Sequence, residues 1–425
     1  MIEKLYQIYL AHPCICTDTR NISPDSLFFC LKGENFDGNQ FALNALEQGA
    51  AYTVTQRADL SGHDRCIVVD DTLATLQKLA IHHRKQLHIP FIGITGTNGK
   101  TTTKELTATV LQTRYKTAFT QGNFNNHIGV PLTLLSIPKD TEIAIIEMGA
   151  NHVGEIADLC RISQPTHGMI TNIGKAHLGG FGSVENIIAT KRALYDSVIA
   201  SEGTLFVNGG DELLSHCAGE YSKQVRYGDC ADSICNGSVT GMDPYLTIRT
   251  DAVTFRTHLT GDYNLCNILG AIAVGKHFGI SEEDASRAIA NYIPANHRSQ
   301  IATAGSNTII ADYYNANPTS MTAALHNLIR LPHPNKQAIL GDMLELGDIS
   351  EEEHRKIMEI CQTNGIHALF VGSIFESLHF PGAIVFPDVS QLNEYLKSHP
   401  INHAMVLVKG SRGIHLEKTE ITPKP

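Results

Sequence analysis

The run TGTNGKTTTKE, from Thr95 to Glu105, concentrates the residue types that hold a polyphosphate. Gly96 and Gly99 let backbone N–H groups approach phosphate oxygens, and the helix start that follows favours negative charge. The Lys100 ammonium can neutralise the outer phosphates, and the Thr101 hydroxyl can reach Mg²⁺. The spacing departs from GxxxxGK[ST], because the first glycine would fall on Ile94 while Gly93 stands one residue early. A bare GKT is also compatible with a merely tight turn. The apolar strand-like run Phe91 to Ile94 before it and the helical pattern of Leu106, Val110 and Leu111 after it point to nucleotide binding.

Two more residues could serve the same chemistry. Glu147 closes the apolar run Ile143 to Ile146. In a parallel sheet it stands at the carboxyl edge, where ligands bind, and its hard oxygens suit Mg²⁺; an exposed strand-end glutamate is the alternative. Lys191 follows Ser183, an N-cap candidate, on a stripe with Val184, Ile187, Ile188 and Tyr195. A lysine facing a core is desolvated and its amine becomes nucleophilic. On the residues alone, a stem that snorkels its ammonium to solvent is the preferred reading.

The scaffold needed is a parallel sheet clad in helices. From Phe91 to about Ala295, strand-like runs (Ile143 to Ile146, Gly168 to Thr171, Thr204 to Val207) alternate with helical patterns, which predicts an α/β domain. Short apolar runs in residues 1–85 predict a small α/β module ahead of it, and the Thr-, Asp- and Gly-rich stretch Asp229 to His258 predicts a β-rich insertion. A further set of strands at Thr308 to Ala311, Gln337 to Leu340, Ala368 to Val371 and Ala404 to Val408 predicts a Rossmann-like domain. In it, Asn317-Pro318 reads as a helix start, with Met321, Leu325, Leu328 and Ile329 on one face, and Ser350 with Glu353 as a capping box. The expected division is 1–85, 86–296 and 297–425, with a hinge near Ala295 to Ser299.

With 425 residues and 42% hydrophobic content the chain can bury several cores. A formal charge of -10 argues against a general surface for nucleic acid or anionic lipid. No apolar run approaches the ~20 residues of a membrane span, and the start lacks a long apolar signal core, so a cytoplasmic protein is expected. The ten cysteines are scattered without metal spacing, and the 21 histidines form no HExxH.

Three runs together, TGTNGKTTTKE, IIEMGANHVGEI and TNIGKAHLGGFGS followed by IIATKRALYD (Thr171 to Asp196), resemble the central domain of the Mur ligase family. The resemblance implies an ADP-forming ligase that uses ATP and two Mg²⁺. ATP would be held by Gly96, Thr97, Asn98, Gly99, Lys100, Thr101, Thr102, Asn267 (at adenine), Arg298 (at phosphate) and Asp312. Metal would be held by Thr101, Glu147, His177 and a carbamate formed from CO₂ on Lys191. Lys100, Lys191, His177 and Arg298 would form the catalytic set, whereas Lys104 and Lys175 receive no role. Two departures stand out: Tyr263 where the family carries histidine, and Arg192-Ala193 where it carries Gly-Glu.

Within the family, the likeness is to the branch that joins D-alanyl-D-alanine to UDP-N-acetylmuramoyl-tripeptide, as a monomer. CTDTRNISPDSLFFCLKGENFDGNQF then implies that Asp18, Thr19, Arg20, Lys32, Gly33, Asp37 and Gly38 hold the uridine diphosphate end. TQGNFNNHIGVPLTLL offers Asn125 and Asn126 to the muramoyl peptide, and DYYNANPTSM offers Asn315 and Asn317 to the dipeptide side. Asn317 reads equally as a plain helix cap before Pro318. Addition of a third residue, diaminopimelate or lysine, is the alternative reaction, and a non-catalytic nucleotide-binding regulator the alternative class.

Overall fold

The computed structural model describes residues 1–34, 36–174, 178–295 and 297–422. Three α/β layers follow one another along the chain. The first holds four short parallel strands in the order β1 (Ile15–Cys16), β2 (Leu27–Phe29), β3 (Tyr52–Thr55) and β4 (Cys66–Val68). Leu27, Phe28 and Phe29 are buried on both faces of the sheet, as apolar strands of parallel sheets are. Helices Ile2–Ala11 and Thr72–Gln86 place Leu5, Tyr6, Tyr9, Leu76 and Leu79 in one continuous core with Val130, Leu134 and Ile156 of the next layer. The Tyr9 hydroxyl donates to the Leu135 carbonyl (2.6 Å), and the Arg84 guanidinium donates to the carbonyls of Ser163 and Gln164 (2.8 Å each).

The central sheet contains β5 (Phe91–Thr95), β6 (Thr117–Phe119), β7 (Ile143–Glu147), β8 (His167–Ile170), β9 (Thr204–Asn208) and β10 (Gln224–Tyr227). They lie in the order β10-β9-β8-β5-β7-β6, all parallel. The chain therefore reverses direction of travel across the sheet around β5, opening a crevice at its carboxyl end. Alternate residues serve two cores: Phe91, Ala144 and Ile146 on one face, Ile92, Ile94, Ile143 and Ile145 on the other. The expected β-rich insertion is an antiparallel sheet of β11 (Gly237–Met242), β12 (Leu246–Thr250) and β13 (Thr254–Arg256). Its Leu246 and Ile248 share the second core with Ile268 and Leu269 of helix Asn264–His277.

The last sheet contains β14 (Gln300–Ala304), β15 (Asn307–Asp312), β16 (Lys336–Gly341), β17 (His367–Val371), β18 (Ile384–Phe386) and β19 (Met405–Lys409), ordered β14-β15-β19-β16-β17-β18. Only β14, paired to β15, runs antiparallel within it. Helix Pro318–Arg330 begins as expected, with Asn317 and Ser320 capping each other. Helix Ser350–Thr363 does not: its N-cap is Ile349, and the 3-10 turn Gly347–Ile349 runs straight into it, so no capping box forms. Ser350 instead gives its carbonyl to His354 Nδ1 (2.7 Å), and Glu353 pairs with Lys356 (2.9 Å). The stripe around Lys191 also needs correction. Val184 is 38% exposed, and the buried face of helix Val184–Ala200 runs through Ile187, Lys191, Leu194, Tyr195 and Val198. No helix among the described residues is long and apolar enough to cross a membrane.

Candidate active site

The phosphate loop leaves β5 and enters helix Lys100–Leu111 through Gly99, whose φ is +79° and which offers no side-chain cap, so the first helical N–H groups carry no capping side chain. The two loop glycines are sterically required. A Cβ on Gly96 (φ +147°) would lie 2.0 Å from Thr171 Oγ1, and one on Gly99 would lie 2.5 Å from Asn267 Oδ1. Gly93 serves a different purpose: it is buried within β5, where a Cβ would crowd the side-chain ends of Met148 and Leu194. That explains the register mismatch in the sequence. The glycine at 93 makes room for packed side chains, and the loop turns on the one at 96.

A second segment cradles the loop. The Asn98 carbonyl accepts from Thr171 Oγ1 (2.6 Å) and Asn172 Nδ2 (2.9 Å), while Asn98 N–H donates to Asn172 Oδ1 (3.0 Å). Thr97 Oγ1 accepts from Gly174 N–H (2.9 Å). Sequence reasoning misses Thr171 and Asn172 as site residues, although they open the run TNIGKAHLGGFGS; their polar side chains directly after an apolar strand are the available signal. Lys100 Nζ turns back to the carbonyls of Gly96 (2.8 Å) and Thr97 (3.0 Å). Burial lowers its pKa to about 8, Glu147 opposing and Arg298 adding to the shift.

Glu147, 1% exposed, ends β7 beside the loop. Its Oε1 accepts from Thr101 Oγ1 (3.1 Å) and Asn125 Nδ2 (2.8 Å), whereas Oε2 is buried and accepts no hydrogen bond. A buried carboxylate oxygen without a donor is costly unless a cation completes it, so Glu147 and Thr101 suit a hard divalent ion. Asn126 Oδ1, just ahead of helix Gly129–Leu135, accepts from the N–H groups of Ile128 (3.1 Å) and Gly129 (2.8 Å).

Lys191 is 3% exposed, its Nζ 5.7 Å from the centre of the Phe181 ring, so its ammonium does not snorkel. Burial first, and the charge of Lys100 second, lower its pKa to about 7, against a small opposing pull from Glu155. His177 and Lys175 lie outside the described residues. Lys104, without an assigned role, is fully buried and donates to the Thr120 carbonyl (2.6 Å).

The other expected nucleotide contacts gather nearby. Asn267 accepts from Thr103 Oγ1 (3.0 Å) and donates to Asn264 Oδ1 (2.9 Å), bracing the loop at Gly99. The Arg298 guanidinium lies 3.9 Å from the Tyr314 ring centre, its Nε buried without an acceptor. Asp312 pairs with Lys409 (2.7 Å) and accepts from Ser299 N–H (3.1 Å). Tyr263, in place of histidine, reaches Ser299 Oγ with its hydroxyl (2.7 Å). Asn317 joins both of its readings, because it caps its helix and also donates through Nδ2 to Asn98 Oδ1 (2.8 Å). Beside it opens a cleft of about 210 Å³ lined by Tyr314 to Asn317, Leu344, Glu345 and Ser411 to Gly413.

The candidate nucleotide-sugar residues stand apart from this cluster, in the first layer. Asp18 and Arg20 pair side by side at the surface (2.7 Å), next to Thr19. Lys32 and Asp37 bridge across a turn that contains Gly33, and a Cβ on Gly38 would lie 2.6 Å from the Leu31 carbonyl oxygen.

Comparison with known proteins bears on the family and the fold. The Mur ligase family catalytic domain matches residues 13–97, the Mur ligase middle domain residues 94–275, and the Mur ligase glutamate ligase domain residues 297–412. The UDP-N-acetylmuramoyl-tripeptide–D-alanyl-D-alanine ligase of Bacillus subtilis is 36% identical over 95% of this chain and 91% of its own length. The enzyme of that name from Escherichia coli is 32% identical over 95% and 92%. Among solved structures, MurF from Acinetobacter baumannii superposes with a TM-score of 0.85 at 28% identity, covering 97% of this chain and 96% of its own. The MurF ligase from Thermotoga maritima in complex with ADP gives 0.85 at 26% identity, over 96% of each chain. Sequence and fold together place this three-layered α/β chain in the Mur ligase family.

Proposed function

We infer that the chain joins D-alanyl-D-alanine to UDP-N-acetylmuramoyl-tripeptide at the expense of ATP, releasing ADP and phosphate, in the cytoplasmic assembly of peptidoglycan precursor. The observation that carries this reading is the contact between Asn317 and Asn98, which brings the DYYNANPTSM segment onto the phosphate loop. The named relatives along nearly the whole chain support it.

A carboxylate is a poor acyl donor because oxide is a poor leaving group. Transfer of the γ-phosphoryl group to the tripeptide carboxylate gives an acyl phosphate; the dipeptide amine then attacks its carbonyl carbon and phosphate departs. The loop N–H groups, Lys100 and Arg298 hold and neutralise the phosphates in this scheme. Glu147 and Thr101 would hold Mg²⁺, which supplies further neutralisation of phosphate charge. The neutral Lys191 amine would add to CO₂ and shed one proton, leaving anionic oxygens suited to a second cation alongside His177 and Glu147. Asn267 would steady the nucleotide end and Asp312 the closing edge, while Asn125, Asn126 and Asn315 would meet the peptide. Asp18, Thr19, Arg20, Lys32, Gly33, Asp37 and Gly38 would take the uridine diphosphate.

Mass measurement of the product from ATP, the tripeptide nucleotide and D-alanyl-D-alanine tests the reading. The expected mass is that of both substrates less one water, with one ADP per product. Absence of ADP release with this pair, or extension of a dipeptide nucleotide by diaminopimelate or lysine instead, overturns it.

A further inference from the structure

The cleft beside Asn317 contains a cation that no step above uses. It lies at the carboxyl ends of three adjacent parallel strands, β15, β19 and β16, which lead respectively into Tyr314–Asn317, Ser411–Gly413 and Leu344–Glu345. Ligands collect at such edges. Its walls are tied together: Ser411 Oγ accepts from Leu344 N–H (2.9 Å), and Asn315 Oδ1 accepts from Ala316 N–H (2.9 Å).

Arg412 stands exposed on this rim, its guanidinium 5.8 Å from the centre of the Tyr314 ring, and has no ion-pair partner among the described residues. Glu345, the acidic member of the lining, has a contact of its own. Leu344, 40% exposed, adds an apolar surface. A volume of about 210 Å³ suits a very small peptide and is too small for a nucleotide. One cation, one apolar wall and amide side chains are what a short peptide with small apolar side chains and a free carboxyl end would require.

Resting on the ligase reading above, we propose that Arg412 is a specificity-determining residue that binds the terminal carboxylate of the incoming dipeptide. The far end of the dipeptide, its amine, is thereby turned toward Asn317 and the phosphate loop. Arg298, against the same Tyr314 ring, belongs to the phosphate side of the division and Arg412 to the dipeptide side.

The test compares D-alanyl-D-alanine with D-alanyl-D-alaninamide, which lacks the charged terminus, in the full chain and in Arg412→Ala and Arg412→Lys. The unaltered protein should prefer the acid by about tenfold or more in kcat/KM. Arg412→Ala should raise the KM for the dipeptide by a similar factor, leave the KM values for ATP and the tripeptide nucleotide unchanged, and treat acid and amide alike. Arg412→Lys should recover part of the preference, since it keeps the charge without the fork. Equal use of acid and amide by the unaltered protein, or an effect of Arg412→Ala confined to the KM for ATP, overturns the proposal while leaving the ligase reading intact. Absence of product from either dipeptide overturns both.

Discussion

At Lys191 the cost of burial and the proposed use of the amine act on the same group. With the pKa lowered to about 7, the folded protein releases a proton that the unfolded chain holds until about pH 10.5. Unfolded chains therefore bind more protons between these values, and this group's contribution to stability rises with pH across that window; below about 7 the full penalty of a buried charge is present. Lys191→Met, in CO₂-free buffer, should raise the urea midpoint most at pH 6, and the gain should shrink toward pH 10. A gain independent of pH would remove the burial argument. The same depressed pKa leaves much of the amine neutral near pH 7.5, as the proposed addition to CO₂ would demand. Lys191→Ala should lose about 10²-fold or more in rate, and added short carboxylic acids should restore part of it; full activity without rescue would rule out an anionic role at this position. Lys100→Met should cost a comparable factor without any such rescue, since a carboxylic acid cannot replace a cation.

Among the elements, helix Pro318–Arg330 links the proposed dipeptide side to the loop through the residue that caps it, Asn317. Asn317→Ala removes both the cap and the contact to Asn98, and its loss of stability should be about 1 kcal/mol, the usual worth of a cap. Asn317→Asp keeps the cap but not the N–H donor that meets Asn98. If Asn317→Asp matches the parent in stability yet falls with Asn317→Ala in kcat, the contact rather than the cap serves the reaction; equal kcat in parent and Asn317→Asp would reduce Asn317 to a cap. This element also marks what the sequence made legible. Asn317-Pro318 and the apolar spacing after it located the helix, but its contact 219 positions back in sequence leaves no local trace. Apolar runs announced the core strands of both large sheets because buried parallel strands are apolar on both faces. The Ser350 pattern misled because a 3-10 turn continued into the helix where a cap was expected, and Val184 because a stripe of 100° spacing does not fix which end of a helix leaves the core. The pairing of Lys409 with Asp312 and the place of Arg412 in the cleft went unread: KGSRG follows the strand Ala404 to Val408, yet only the neighbouring strands show which residues share its edge.

Across the whole molecule, the three layers are joined by two unlike kinds of contact. The first and central layers share a dry core, from Leu5 and Leu79 through to Leu134 and Ile156. The central and last layers meet largely through polar pairs: Asn317 with Asn98 (2.8 Å), Asn327 with Thr260 (3.1 Å), Arg330 with Asp262 through two bonds of 2.7 Å, and the Tyr263 hydroxyl with Ser299 (2.7 Å). An exposed ion pair such as Arg330 with Asp262 contributes about 1 kcal/mol at most, so water can replace it at little cost; the buried pair Asn327 with Thr260 is the costlier of these contacts to open, and parting the dry core would expose apolar surface. Between them the chain passes through His297 and Ser299, both with positive φ (+54° and +52°), a backbone region in which non-glycine residues store strain. The expected consequence is an asymmetric motion. With spectroscopic labels on exposed Lys4, Arg192 and Lys397, each replaced by cysteine in a background freed of reactive thiols, the distance from 4 to 192 should stay constant when ATP and the tripeptide nucleotide are added. The distance from 192 to 397 should shift and narrow into one population, as the last layer settles on the loop and shields the acyl phosphate from water. Tyr263→Phe, which removes one hydroxyl at the hinge, should broaden that second distance without touching the first. Movement of the 4 to 192 pair, or no response from 192 to 397, would refute a hinge at Ser299 and return the mobile boundary to the residues before Pro90.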